Sequence, residues 1–252
     1  MNIAIYTLTS ELHDEQAVAA VTSEFLSSLA FEYDFCGADF NSYGTHDLDL
    51  IYVRTGGTEG IFRRFFSYFK GNFQSPVYLL TSGKSNSLAA SMEILSYLRQ
   101  NGPRGEILHG TAEYINKRVA LLANVEHARR QLRGSKLGVI GQPSDWLIAS
   151  NVDREAVESQ LGIVIEDIPM DELLERISST TYVGKNPMNM KEAPKSVVRA
   201  MPGAIAIYNA LKEIVFEHDL NGFTLRCFDL LTAVKNTGCI ALANLNAEGI
   251  VA

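Results

Sequence analysis

Short apolar runs alternate along this chain with longer segments whose apolar positions recur every three or four residues. The first run, Asn2 to Leu8, predicts a strand. Ala17, Val18, Val21, Phe25, Leu26 and Leu29 then fall at helical spacing. Ser10 is the expected cap of that helix, with Glu11, Asp14 and Glu15 in its first turns, where the helix dipole favours negative charge. Phe31 to Phe35 and Leu48 to Val53 read as strands, separated by the polar loop Gly37 to Asp47. Val53 runs into Arg54 to Gly60 and the amphipathic Ile61 to Lys70. Val77 to Leu80 repeats that order through Ser82 to Ser87 into a helix over Leu88 to Gln100. Gly105 to His109 is one more strand, and Glu113 to Arg133 is a long helix.

After Gly134 the pattern restarts. Leu137 to Ile140 is a strand leading to Gly141 to Asp145, Val152 to Leu161 a helix, Gly162 to Ile168 a strand, and Met170 to Ile177 a short acidic helix. Ser178 to Pro194 is a polar loop or arm with two prolines. Lys195 to His218 is helical, with Pro202 and Gly203 expected to start or kink it. Phe223 to Phe228 is β-rich, and Asp229 is placed to cap a helix over Leu230 to Lys235. Cys239 to Leu245 predicts a buried strand, Asn246 to Gly249 a turn, and Ile250 with Val251 the opening of another strand. Strands alternating with helices imply α/β architecture: two Rossmann-like doubly wound domains with mostly parallel sheets, at residues 1–133 and 134–252.

Composition narrows the function. With 46 % hydrophobic and 20 % charged residues the chain is of ordinary globular make-up, and its net charge of -7 argues against nucleic-acid and anionic-membrane partners. No apolar run approaches the ~20 residues that span a bilayer. The start, MNIAIYTLTS, has no basic n-region and no signal-length apolar core, so the expected location is cytoplasmic. Cys36, Cys227 and Cys239 form neither a disulfide framework nor a zinc knuckle, and the five histidines show no metal-binding spacing.

Ligands of open α/β sheets bind outside the carboxyl ends of the strands, which selects three loops. Arg54 to Gly60 offers Gly57 for close backbone approach and Arg54 and Glu59 as polar handles, although it is not a G-x-G-x-x-G turn. Thr81 to Ser87 offers Ser82 and Asn86 and contains Gly-Lys-Ser without the rest of a phosphate loop. His109 ends the next strand. Each of these residues equally suits a tight turn, a cap or a surface position. In the third loop, Gln142, Asp145 and the sole tryptophan, Trp146, combine an apolar ring face with hydroxyl-reading groups, as a sugar site does; a capped helix with a packed Trp is the alternative. Arg226, ending a buried strand, either faces a cleft or pairs with a local carboxylate.

The tail carries a resemblance. Leu225-Arg226-Cys227-Phe228-Asp229, followed by Gly238-Cys239 and Asn246 to Ala252, is similar to the L-fucose/L-arabinose isomerase type of sugar isomerase. The resemblance implies two α/β domains followed by a β-rich C-terminal domain, interconversion of aldoses and ketoses, and a divalent metal, usually manganese. It also implies a homo-oligomer whose active site is completed between subunits. In the family the first metal-binding Glu follows the segment matching Gly249 to Ala252. The expectation is therefore a chain ending before the C-terminal catalytic domain, with no metal ligands or cofactor of its own and manganese bound only by an intact family member. Such a chain would bind a small-molecule sugar and be inactive alone. A sugar-binding or regulatory module and an oligomer-assembly domain are the other readings.

Overall fold

The computed structural model describes residues 1–69, 75–180 and 194–252. The chain divides into two compact units, Met1–Arg130 and Gln131–Ala252.

The first unit contains β1 (Ile3–Leu8), α1 (Glu15–Ser27), β2 (Asp34–Gly37), β3 (Leu48–Val53), α2 (Glu59–Phe69), β4 (Val77–Leu80), α3 (Ser87–Asn101), β5 (Gly105–Leu108) and α4 (Ala112–Leu132). Its strands pair in parallel in the order β2-β1-β3-β4-β5. Successive strand residues face opposite sides. On one side Ile5, Leu50, Tyr52 and Leu80 pack with Ile115, Val119 and Leu122 of α4. On the other, Leu8, Ile51, Val53 and Leu79 meet Phe62 and Phe66 of α2 and Ile94 of α3. Covering both faces is why these strands read as unbroken apolar runs.

The second unit contains β6 (Lys136–Ile140), α5 (Arg154–Leu161), β7 (Val164–Ile168), α6 (Met170–Ser179), α7 (Lys195–Glu217), β8 (Gly222–Leu225), α8 (Phe228–Ala233) and α9 (Cys239–Ala247). Its parallel sheet has the order β7-β6-β8, and Val251 bridges Gly222 in parallel at the β8 edge. Ile207, Leu211 and Ile214 of α7 supply one core stripe, against Ile140, Ile168 and Phe223 of the strands and Ala241 and Leu245 of α9. The architecture is thus the expected one, α/β with two doubly wound, parallel-sheet units.

Several local expectations are corrected. Cys239 to Leu245 is helical, not a strand: Ala241 and Leu245, four apart, are its buried face. Its alanines and leucines favour helix, and only Ile240 is β-branched. Asp14, not Ser10, caps α1, its carboxylate accepting the Gln16 N–H at 2.9 Å. Ser10 instead donates its backbone N–H to Thr55 Oγ1 at 3.0 Å, tying the β1 loop to the β3 loop. Asp229 lies inside α8 and accepts from Arg226 rather than capping. The second strand lies later than Phe31 to Phe35, at Asp34–Gly37. Helix α7 runs through Pro202. There Asn236 donates its side-chain amide to Ala200 O at 2.8 Å, and a Cβ on Gly203 would stand 2.7 Å from that amide nitrogen, so the Pro-Gly pair admits an outside donor. The end of the predicted Ile61 to Lys70 helix and most of the Ser178 to Pro194 arm lie outside the described residues.

Two polar clusters staple helices to the sheets. In the first unit the buried Glu126 carboxylate of α4 accepts from Tyr78 Oη and Ser75 Oγ, both at 2.8 Å, and from Arg129 at 3.1 Å. Glu126→Ala should lower the unfolding free energy by about 3 kcal/mol by leaving those donors unpaired, against about 1 kcal/mol for Tyr78→Phe. Urea unfolding measures both, and equal losses would contradict the assignment. In the second unit His218 faces Glu166 through Nδ1 at 2.6 Å and Glu172 through Nε2 at 3.0 Å. These hydrogen bonds, Glu166 first, raise its pKa above the ordinary value. The stabilisation is therefore complete below the unfolded pKa of about 6.5 and is lost as pH rises through the raised folded value. Urea midpoints should fall across that window, and His218→Gln should abolish that part of the fall; an identical slope in the variant would contradict it.

Candidate functional site

In the β7-β6-β8 order the chain leaves β6 for β7 on one side and later returns to β8 on the other. The reversal opens a crevice beyond the carboxyl ends of β6 and β8. Gly141 and Arg226 are the first residues past those ends. Gly141 has φ +79°, and a Cβ there would lie 3.0 Å from Arg226 Cβ and 2.9 Å from Met170 Cε. Glycine at 141 is what lets the arginine stem run alongside β6.

Arg226 is held along its length. Its backbone N–H continues the ladder to Ile140 O at 3.0 Å. Nε donates to Asp229 Oδ1 at 3.1 Å, Nη1 to Pro143 O at 3.3 Å and Gln142 O at 3.5 Å, and Nη2 lies 3.6 Å from the exposed Asp145 carboxylate. The guanidinium thus fixes the β6 loop over the end of β8. A hollow of about 310 Å³ lies here, lined by Gly141, Gln142, Asp167, Met170, Arg226 and Asp229. Asp167 is engaged by Arg154 in a two-pronged pair at 2.6 and 2.8 Å, whose hydrogen bonds hold its carboxyl below the usual range. In the same loop Trp146 is 62 % exposed and meets the 64 % exposed Phe228, the first residue of α8, edge-to-face at 6.1 Å. Three carboxylates, Asp145, Asp167 and Asp229, face two guanidinium groups, so the local field favours no anion.

Four residues selected from the sequence therefore belong to one place: Gln142, Asp145, Trp146 and Arg226. Asp229 and Phe228 were missed as site residues. The signal for Asp229 was its position three residues after an arginine, the spacing at which opposite charges meet on a helical turn.

The remaining candidates occupy the first unit, whose own reversal lies between β1 and β3. Arg54 is committed: Nε donates to Thr22 Oγ1 at 2.8 Å, Nη1 to Thr9 Oγ1 at 2.9 Å and Nη2 to Glu15 Oε1 at 2.9 Å. Gly57, at φ +75°, passes close to Ser10, where a Cβ would be 3.0 Å from Oγ. Gly56 N–H donates to Ser85 O at 2.8 Å, joining the β3 and β4 loops. Ser82 accepts from Lys84 N–H at 3.3 Å. Asn86 precedes α3 in a left-handed conformation without a capping bond from its side chain. The exposed His109 has Nδ1 3.2 Å from Thr81 O, and its ring covers Gly83. A proton on Nδ1 satisfies that carbonyl. Glu59 does not share this crevice's contacts; it lines a groove of about 270 Å³ with Phe62, Arg63, Glu93, Ile94 and Tyr97.

Among the described residues no three His, Cys, Asp or Glu side chains come together to hold a metal ion, and no helix is long and apolar enough to cross a membrane. No protein-family model matches the chain, and no curated protein matches it in sequence.

Gly141→Ala tests the contact between loop and arginine. The added Cβ meets Arg226 and must adopt a left-handed backbone, so the unfolding free energy should fall by about 2 kcal/mol. A chain as stable as the parent in urea would show that Arg226 does not need that clearance.

Proposed function

We propose that this chain is the sugar-binding α/β portion of an aldose–ketose isomerase-like protein of the L-fucose/L-arabinose type, and that the crevice of its second unit holds the sugar. The exposed Trp146 face beside the Arg226-braced loop carries the reading. A pyranose or open-chain sugar presents C–H groups to an aromatic ring and hydroxyls to the groups around it. Gln142 and Asp145 supply acceptors and donors in that loop, and the excess of carboxylates favours a neutral sugar over a phosphate or uronate. Similarity of Leu225 to Asp229, Gly238-Cys239 and Asn246 to Ala252 to the family supports the reaction class.

The chain's own residues bind and orient but do not complete the chemistry. Isomerisation moves a hydrogen between adjacent carbons and a proton between their oxygens, which needs a free acid–base group or a metal held by side chains. Asp145, Asp167 and Asp229 each face a guanidinium group. The residues described do not fit a metal, so no step passes through one.

Calorimetry with L-fucose, L-arabinose and their ketoses, with and without manganese, tests this. Binding of at least one sugar is expected, weakened about 10-fold (1.4 kcal/mol) by Trp146→Ala, with no ketose formed from aldose. Absence of heat with every sugar would overturn the binding assignment, and turnover by the parent chain would overturn the division of labour.

A further inference from the structure

Helix α4 buries one face and leaves an apolar stripe on the other. Ile115, Val119, Leu122 and Ala123 pack in the core against the five-stranded sheet. On the opposite side Tyr114, Leu121, Val125 and Leu132 are between 40 % and 51 % exposed. Their spacing is seven, four and seven residues, the a and d pattern of helices that pair along a seam. At 3.6 residues per turn Tyr114 and Leu132, eighteen residues apart, point the same way, and Leu121 and Val125 lie about 20° to either side of that line. A continuous apolar line of this length differs from the singly scattered apolar residues that any surface carries.

The stripe is its own mate. It is centred on position 123: Leu121 and Val125 stand two residues before and after it, Tyr114 and Leu132 nine before and after. A two-fold axis through that midpoint sets a second copy of α4 antiparallel to the first, so that the same patch serves on both sides. Leu121 and Val125 of the two copies then form one central apolar layer, and Tyr114 of each copy meets Leu132 of the other. An unrelated partner has no need of that symmetry. Charge does not oppose the pairing either. Lys117 is tied to Glu113 at 2.8 Å, Arg118 to Glu106 of β5 at 2.6 Å and Arg129 to Glu126 at 3.1 Å, each within the one chain. The contact is small. A helix of 21 residues is about 31 Å long, and a strip about 10 Å wide along it covers about 600 Å² over two copies. That is below the roughly 1,200 Å² at which stable interfaces begin, so the association is weak and reversible.

We propose that α4 is a self-association surface, on which a second copy of this chain docks antiparallel about residue 123. The proposal rests on this helix alone and is independent of sugar binding. Sedimentation equilibrium of the full chain, from micromolar to submillimolar concentration, tests it. A reversible monomer–dimer equilibrium is expected, little changed by added salt because no ion pair crosses the seam. Leu121→Glu sets two carboxylates against each other at the axis and should weaken association at least about 10-fold (1.4 kcal/mol), with the urea midpoint of the parent because the position is half exposed. Tyr114→Lys, at the start of the helix, reads the same loss independently should Leu121→Glu lower that midpoint. Register is tested by mixing the Tyr114→Lys chain with the Leu132→Glu chain. Each alone should associate more weakly than the parent, and the mixture more tightly than either, since it sets the new cation on the new carboxylate. A monomer over the whole concentration range, a dimer indifferent to Leu121→Glu and Tyr114→Lys, or a mixture no tighter than the single variants would each overturn the proposal.

Discussion

The contact on which the candidate site depends is the passage of the Arg226 stem beside Gly141. Two parallel strands that leave the sheet in opposite directions have no reason to hold their loops together beyond their carboxyl ends. Here a glycine without a Cβ lets an arginine lie along the neighbouring strand, and that arginine then binds two carbonyls of the β6 loop and the first turn of α8. The half-buried guanidinium would be costly alone. Surrounded by Asp229, Asp145 and backbone oxygens it becomes the brace that holds the loop carrying Gln142, Asp145 and Trp146 against the end of β8.

The first unit solves the same problem without a brace of this kind. Its loops are sewn by short neutral bonds: Ser10 N–H to Thr55, Gly56 N–H to Ser85 O, Thr81 Oγ1 to Ser87 Oγ. Arg54 is turned aside to α1. Buried hydroxyls therefore take most of the structural work at that end of the sheet.

Much of this was legible in the sequence, for identifiable reasons. Strand β3 was read at its observed bounds because strands covered on both faces are apolar without interruption. The same simplicity misled at Cys239 to Leu245, since a short apolar run fits a buried strand and a buried helix alike; only packing of Ala241 and Leu245 against α7 decides it. Ser10 was a good cap by type, but its N–H was needed by Thr55, a residue 45 positions away. At the site, loop positions followed from the βα alternation. What each side chain does there did not, because Gln142 and Arg226, 84 residues apart, meet only through strand order.

The chain contains a single tryptophan, so its fluorescence is a direct monitor of the second-unit crevice. Titration with L-fucose and L-arabinose, read at the Trp146 emission band, tests the central claim most directly. A saturable change in intensity or wavelength with at least one sugar, lost in Arg226→Ala while the far-ultraviolet dichroism is kept, is the predicted result. A Trp146 spectrum indifferent to every sugar at concentrations that saturate binding by calorimetry would contradict it.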